Sequence, residues 1–329
     1  MSARTTALCA LIATRRQGAW SDGILKEYVQ RDRLERRDAA LAVTLTYGVM
    51  QNRMLLDHYL EQVVSGGLSR LQPAMLDILR LGAYQILLLD KIPDSAAVNE
   101  AVEQTKRYVN QKAAGMTNGA LRALSRKKGS LNEPRDLATK YSHPQALVEL
   151  LMQSVGENQI EPFLRADNEP APTCLQINPL LSNPDEVERA LTEQDILFRK
   201  HPWLPGCYLV TGTGNLARLE LFTSGKVYVQ DASAKLAAIA AGVQPGMRVL
   251  DTCAAPGGKS FALAMEMKNE GSVTSCDIHA HKISLIEKGA ARLGISIITA
   301  ARRTPQNFRK YSKRALMSSS PTFRARGSA

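Results

Sequence analysis

Long apolar runs are missing from this 329-residue chain: Ile86–Leu89 stops at Asp90, whereas a membrane-spanning helix needs about 20 apolar residues. The order of a secretory leader is missing too, because the apolar stretch Ala7–Ala13 is followed, not preceded, by Arg15 and Arg16. Cysteines are few and odd in number. Cys9, Cys174, Cys207, Cys253 and Cys276 show no paired spacing, which argues against a disulfide framework and for a reducing cytoplasm. His279 and His281 have no further ligands clustered beside them, so no metal is expected as a partner, and the shortness of the apolar runs leaves no membrane expected either.

Acidic residues are absent from the last 29 positions, which hold 8 Lys/Arg and therefore most of the chain's formal +11. Elsewhere the charge is uneven. Residues 1–130 carry 19 Lys/Arg against 12 Asp/Glu, residues 131–230 carry 8 against 13, and residues 231–300 carry 7 against 6. A basic region is a possible electrostatic footprint for nucleic acid. The informative cluster is in the first segment, where Arg31, Arg33, Arg36, Arg37 and Arg126–Lys128 gather; a solvated helix face is the other account of the same charges.

Strand-like alternation is absent from residues 2–128. Apolar residues instead recur at helical spacing, as in Leu8, Leu11, Ile12, then Leu41, Leu45, Val49, then Leu76, Leu79, Ala83, Ile86. Gly66-Gly67 and Ile92-Pro93-Asp94 punctuate these stretches, which predicts an all-helical domain over residues 1–130. A turn-rich linker follows at 129–134. Beyond it lie a helix at Gln145–Ser154, a strand at Thr173–Ile177, a helix at Pro184–Gln194 opened by Asn183, and a strand at Gly206–Thr211. That alternation predicts a small α/β domain, assigned with its linker to residues 131–224.

Residues 246–277 read as one strand–helix–strand unit. Arg248–Asp251 is a short buried-strand pattern, Thr252–Ser260 a loop of small residues, Phe261–Met267 a helix former, and Ser272–Cys276 a second strand closing at Asp277. Such a loop lets backbone approach a ligand at a helix N-terminus, and an acid at the end of the second strand suits ribose hydroxyls. The loop lacks G-x-G-x-x-G, and Thr252 stands where a nucleotide phosphate loop requires its first glycine. The string Gly212–Ala217 formally fits G-x-G-x-x-A but has no room for a crossover helix after it, so it is read as a loop between strands.

Two resemblances complete this picture. The runs RRDAALAVTLTYGVMQNRMLLDHYL (36–60), ILRLGAYQILLLDKIPDSAAVNEAV (78–102) and MTNGALRAL (116–124) resemble the NusB-type RNA-binding domain. More closely, they resemble its version fused to bacterial 16S ribosomal RNA (cytosine-C5)-methyltransferases of the B type. DTCAAPGGKS (251–260) is similar to the adenosylmethionine-binding motif of that family, and VYVQDASA (227–234) to the segment preceding it. The resemblance implies an α plus α/β architecture: a NusB-like helical domain, a small α/β domain and, over 225–300, the first half of a Rossmann-like methyltransferase domain. It implies S-adenosylmethionine as cofactor, bound by Cys253, Ala254, Ala255, Pro256, Gly257, Gly258, Lys259 and Asp277. It also implies small-subunit ribosomal RNA as partner, contacted through Arg31, Arg33, Arg36 and Arg37.

Forming a C5-methylcytosine requires a thiolate to attack C6 of the ring. The family carries one cysteine in a D-x-P-C-S-G run and its nucleophile further on; neither follows Cys276 here, so no catalytic residue is assigned. A third strand is predicted at Ile295–Thr299, leaving the first strand with an unpaired edge. Residues 301–329 are read as a disordered basic tail. Codons that encode Leu316–Gly327 can also spell D-V-V-I-A-D-V-P-C-S-G two nucleotides later, so a frameshift is the expected origin of the tail. The alternative function is a non-catalytic RNA-binding protein of the NusB, antitermination type.

Overall fold

A computed structural model describes residues 1–17, 21–211, 216–303 and 316–317. They fall into two compact units, one within Met1–Glu169 and one beginning at Pro170.

The first unit is helical: α1 (Ala3–Gln17), α2 (Ser21–Arg31), α3 (Arg36–Gln51), α4 (Arg53–Glu61), α5 (Pro73–Leu88), α6 (Asp94–Tyr108), α7 (Ala114–Lys127), α8 (Leu137–Tyr141), α9 (Gln145–Val155) and α10 (Glu157–Asp167). Its centre is α5. Pro73 starts that helix where no amide hydrogen is needed, and Met75, Ile78, Leu79, Leu81, Ala83 and Ile86 bury its surface almost all round. Leu8, Leu45, Leu56, Leu121 and Leu124 complete the core. One acid, Asp77, is buried among them, and burial pushes its carboxyl above the ordinary range. Arg15 Nε at 2.9 Å and Arg80 at 3.7 Å compensate it, while Arg80 also holds Asp57 through two bonds of 2.7 and 2.6 Å.

Helices α8–α10 share a smaller core of Ala138, Val148, Ile160 and Leu164, with Met54 of α4 against it. Ser142 Oγ accepts the Leu55 amide at 3.0 Å, and Tyr59 donates to Glu133 at 2.7 Å. The compact helical unit thus extends past residue 130.

The second unit holds two sheets. The first joins β1 (Thr173–Ile177), β2 (Leu197–Lys200), β3 (Cys207–Thr211) and β4 (Val227–Val229) in the order β2-β3-β1-β4, with every pair antiparallel. Helices α11 (Pro184–Glu193) and α12 (Glu220–Thr223) provide the crossovers. The second sheet is parallel: β5 (Arg248–Asp251), β6 (Ser272–Asp277), β7 (Ile298–Arg302) and β8 (Leu316–Met317), ordered β7-β6-β5-β8. Helices α13 (Ala232–Ala240), α14 (Gly258–Glu266) and α15 (Ala280–Arg292) accompany it, and Phe261, Leu263, Met265, Val273, Ile286 and Leu293 form its core. Asn178, fully buried, donates to the carbonyls of Gly225 and Leu293, both at 2.9 Å, and so ties the two sheets' surroundings together.

Three expectations from sequence are corrected here. The third strand begins at Ile298, because Ile295 still closes α15 by donating to Ala290 O at 2.9 Å. Pairing with β6 then starts at Val273↔Ile298 and continues through Asp277↔Arg302. The first strand's free edge is not free: β8 lies parallel to it, with Val249↔Leu316 and Leu250↔Met317 in register. Strand edges carry unpaired amide and carbonyl groups that favour such pairing. The proposed disordered tail therefore contributes residues 301–302 and 316–317 to the sheet. The remainder of that tail, with the reading of its origin, lies outside the described residues, as does Gly212–Asn215.

Candidate functional site

The strand β5 ends in a carboxylate that organises everything after it. Asp251 is buried and accepts the Cys253 amide at 3.2 Å and the Ser260 hydroxyl at 2.8 Å. Ser260, fully buried in the first turn of α14, in turn accepts a bond from Ser275 of β6 at 2.7 Å. One chain of hydrogen bonds thus crosses β5, α14 and β6. Between its ends the loop is braced by its own backbone: Ala254 N–H donates to Cys276 O at 2.9 Å and Gly257 N–H to Ala254 O at 2.7 Å. The Ala255–Pro256 peptide is cis. Ala254 and Gly257 are buried, Ala255, Gly258 and Lys259 half-buried, and Cys253 and Pro256 exposed.

The two loop glycines differ. Gly257 has φ +117°, and a Cβ there would collide with the ring of Phe261, so the fold itself demands glycine. Gly258 has ordinary φ, and a Cβ would meet nothing nearer than the side-chain amide of Gln230 at 3.4 Å. Packing therefore leaves room for alanine at 258. The first turn of α14 has no side-chain cap, so its leading amide hydrogens are open to a ligand.

Gln230 follows β4. Its main chain is bound on both sides, its amide hydrogen to Cys174 O at 3.2 Å and its carbonyl to Gln176 Nε2 at 3.1 Å. Its side chain is not: the residue is 7 % exposed, and both polar atoms of the amide are buried without a partner. Tyr228, two residues earlier, likewise buries an unpartnered hydroxyl, which burial pushes upward in pKa. Asp231 caps α13 by accepting the Ser233 amide at 2.8 Å and that residue's hydroxyl, and the hydroxyl bond holds its carboxyl below the ordinary range.

At the end of β6, Asp277 is buried, and its Oδ1 accepts the His279 amide at 2.9 Å. Arg303 N–H donates to its carbonyl at 3.1 Å. The neighbouring Cys276 thiol is buried and pushed up by burial. His279 and His281 have ring centroids 5.6 Å apart, and no group of three ligand-type residues able to hold a metal occurs among the described residues. An acid at the second strand's end, a helix N-terminus without a cap and a loop of small residues suit a small ligand with hydroxyls at one end and an anionic group at the other.

The basic candidates lie in the helical unit. Arg33, Arg36 and Arg37 are exposed between the end of α2 and the start of α3, with no ion pair among the described residues. Arg31 differs: it pairs with Asp32 at 2.8 Å and lies 4.1 Å from the Tyr28 ring centroid. From sequence, Ser260, Ser275 and Gln230 were not singled out. Ser260 and Gln230 both lie in segments with a legible motif, but the Ser260–Ser275 bond depends on strand register and the state of the Gln230 amide on its surroundings.

Comparison with known proteins extends these observations. Residues 1–126 match the NusB family, residues 143–216 the Methyltr_RsmF/B-like, ferredoxin-like domain, and residues 238–318 the 16S rRNA methyltransferase RsmB/F family. The probable ribosomal RNA small subunit methyltransferase B of Bacillus subtilis (strain 168) is 35% identical over 316 residues, covering 93% of this chain and 70% of that protein. Its namesake in Synechocystis sp. (strain ATCC 27184 / PCC 6803 / Kazusa) is 32% identical over 304 residues, covering 91% and 68%. Among solved structures, the crystal structure of PH0851 shares the fold, with a TM-score of 0.67 at 22% identity over 90% of this chain and 68% of that one.

Proposed function

The chain belongs to the ribosomal RNA small subunit methyltransferase B family, and from that premise we propose that it serves the methylation of C5 of a cytosine in small-subunit rRNA, with S-adenosylmethionine as methyl donor. The observation that carries this is the loop after β5, locked by Asp251, Ser260 and Ser275 and followed by Asp277 at the next strand's end. When bound, the donor supplies an electrophilic methyl group. The residues Cys253–Lys259 would hold it through backbone, and Asp277 would accept from its ribose hydroxyls.

The thiolate that this chemistry needs is not assigned to any of the five cysteines. Cys174, Cys207 and Cys276 are buried, and burial pushes the Cys207 thiol up to about 11, where little thiolate forms at neutral pH. Cys253 is exposed but belongs to the loop itself, and the half-buried Cys9 lies in α1 of the helical unit, 3.5 Å from the Tyr108 hydroxyl. The roles proposed for these 329 residues are therefore donor and RNA binding, in a reducing cytoplasm. RNA contact is assigned to the exposed Arg33, Arg36 and Arg37, with Arg31 set apart because Asp32 already holds it.

Calorimetry with S-adenosylhomocysteine tests the proposal. The whole chain should bind it, and Asp277→Ala should weaken binding by about 1–3 kcal/mol through loss of a charge-assisted hydrogen bond. A chain that binds structured rRNA but no nucleoside donor would favour the second reading, a non-catalytic NusB-type RNA binder, which the NusB family match over residues 1–126 supports.

A further inference from the structure

We infer that the β2–β3 hairpin carries a stacking platform for an unpaired base of single-stranded RNA, with Trp203 against the base and Arg199 on a neighbouring phosphate. The inference rests on RNA as the partner, as proposed above, and adds a contact outside the helical unit. Leu197 and Trp203, 73 % and 63 % exposed, are the two most exposed large apolar side chains among the described residues. Strand register gathers the exposed groups on one face. Leu197 pairs with Thr211 and Arg199 with Leu209, so both point to the side of the sheet that holds Cys174 and Cys207. Leu204 and, from α13, Ala232 and Leu236 cover that side at β1 and β3, while Leu197 and Arg199 stay exposed at β2. His201 continues the alternation, its amide bonded to Cys207 O at 2.9 Å. Its ring meets the Trp203 indole edge-on, with centroids 4.4 Å apart. The indole is braced and still open.

Charge and size choose the occupant. Residues 131–230 carry 13 Asp/Glu against 8 Lys/Arg, yet on the hairpin an acid is engaged on the opposite face. Lys200, which points that way, pairs with Glu188 at 2.8 Å, and Glu188 also accepts the Tyr208 hydroxyl at 2.7 Å. Arg199 is exposed and has no ion pair among the described residues, so its charge is left for an anion. A second protein surface fits poorly. Trp203 offers at most about 250 Å² and Leu197 less, against the roughly 800 Å² per partner of a stable interface. One base needs only one ring. Stacking on an aromatic side chain beside a cation is how single strands are held without sequence preference. An open antiparallel sheet face that presents an aromatic residue takes unstacked bases in the same way.

Fluorescence reads the contact directly. The chain holds two tryptophans, so Trp20→Phe leaves Trp203 as the sole reporter in the full chain. Oligouridylate should quench its emission, and an RNA duplex of equal length should not, because its bases are already stacked. Arg199→Ala should move the quenching midpoint several-fold higher in oligouridylate. Anisotropy of a labelled strand should show binding about tenfold weaker in Trp203→Ala and largely restored in Trp203→Phe, with melting temperatures unchanged. The titrations belong at about 0.2 M salt, where phosphate-only binding by the basic tail is weakened. Binding of the strand without quenching, or equal affinity in Trp203→Ala, would overturn the platform and leave RNA contact by the helical unit standing. Self-association without RNA, abolished by Leu197→Lys and by Trp203→Ala, would overturn it in favour of a second copy of the chain. If the chain binds neither oligouridylate nor structured rRNA, RNA as partner fails, and the platform with it.

Discussion

Asp251 and Ser260 show how much of a site can rest on one hydroxyl. If Ser260 becomes alanine, a buried carboxylate oxygen loses its donor and Ser275 loses its acceptor. The expected cost is about 1–3 kcal/mol in denaturant unfolding, with loosening of the loop read as weaker donor binding. Asp231 provides a titratable counterpart. Its hydrogen bonds to Ser233 hold the folded-state pKa below the ordinary carboxylate value. Its contribution to stability is therefore complete above about pH 4, the unfolded value, and is lost as pH falls through the depressed folded value. An asparagine in its place would still cap the helix but could not titrate. Melting temperatures of the parent and Asp231→Asn should converge in acid, and parallel curves down to about pH 2 would refute the assignment.

Elements were legible where one local signal dominated. Thr173–Ile177 and Arg248–Asp251 are read from sequence with the boundaries observed, since short β-branched or aliphatic runs bounded by turn residues leave little choice. The helix α14 starts three residues earlier than its apolar run suggests, because Gly258, Lys259 and Ser260 form its first turn. The register of β7 was not legible. Ile295 and Ile297 look like strand residues, yet the Ile295 amide is turned back to Ala290 O and Asn269 accepts the Ser296 amide at 3.0 Å, which keeps the start of that stretch out of the sheet. Asn269 itself has φ +59°, in the left-handed region that asparagine tolerates better than most residues. Asn269→Ala combines that strain with a lost hydrogen bond, an expected loss of about 1–3 kcal/mol. Hydrogen exchange should show the loss first in the β7 amides. The unpaired side-chain amide of Gln230 was illegible for another reason: it is visible only once its surroundings are built.

For the molecule as a whole, two compact units make separable tests possible. The helical unit runs through Glu169, so residues 1–169 should give a cooperative helical melt on their own. A fragment ending at 130 would strip α8–α10 from Met54, Leu55 and Tyr59 and should melt lower. Its basic surface has a signature in salt. Phosphate contacts release counterions, so the affinity of residues 1–169 for structured rRNA should fall steeply with ionic strength. Replacing both Arg36 and Arg37 with glutamate should flatten that slope. An unchanged slope would return these arginines to a solvated face.

One packing detail ties the loop after β5 to distant sequence. The Phe261 ring occupies the space that a Cβ at Gly257 or at Gly289 would need, so α15 and the loop share a single aromatic spacer. The three positions are therefore not free to diverge independently in evolution. A relative that has lost glycine at the position of 257 or 289 should carry a side chain smaller than phenylalanine at 261. A lineage in which the glycine changes first should pass through a poorly folded intermediate.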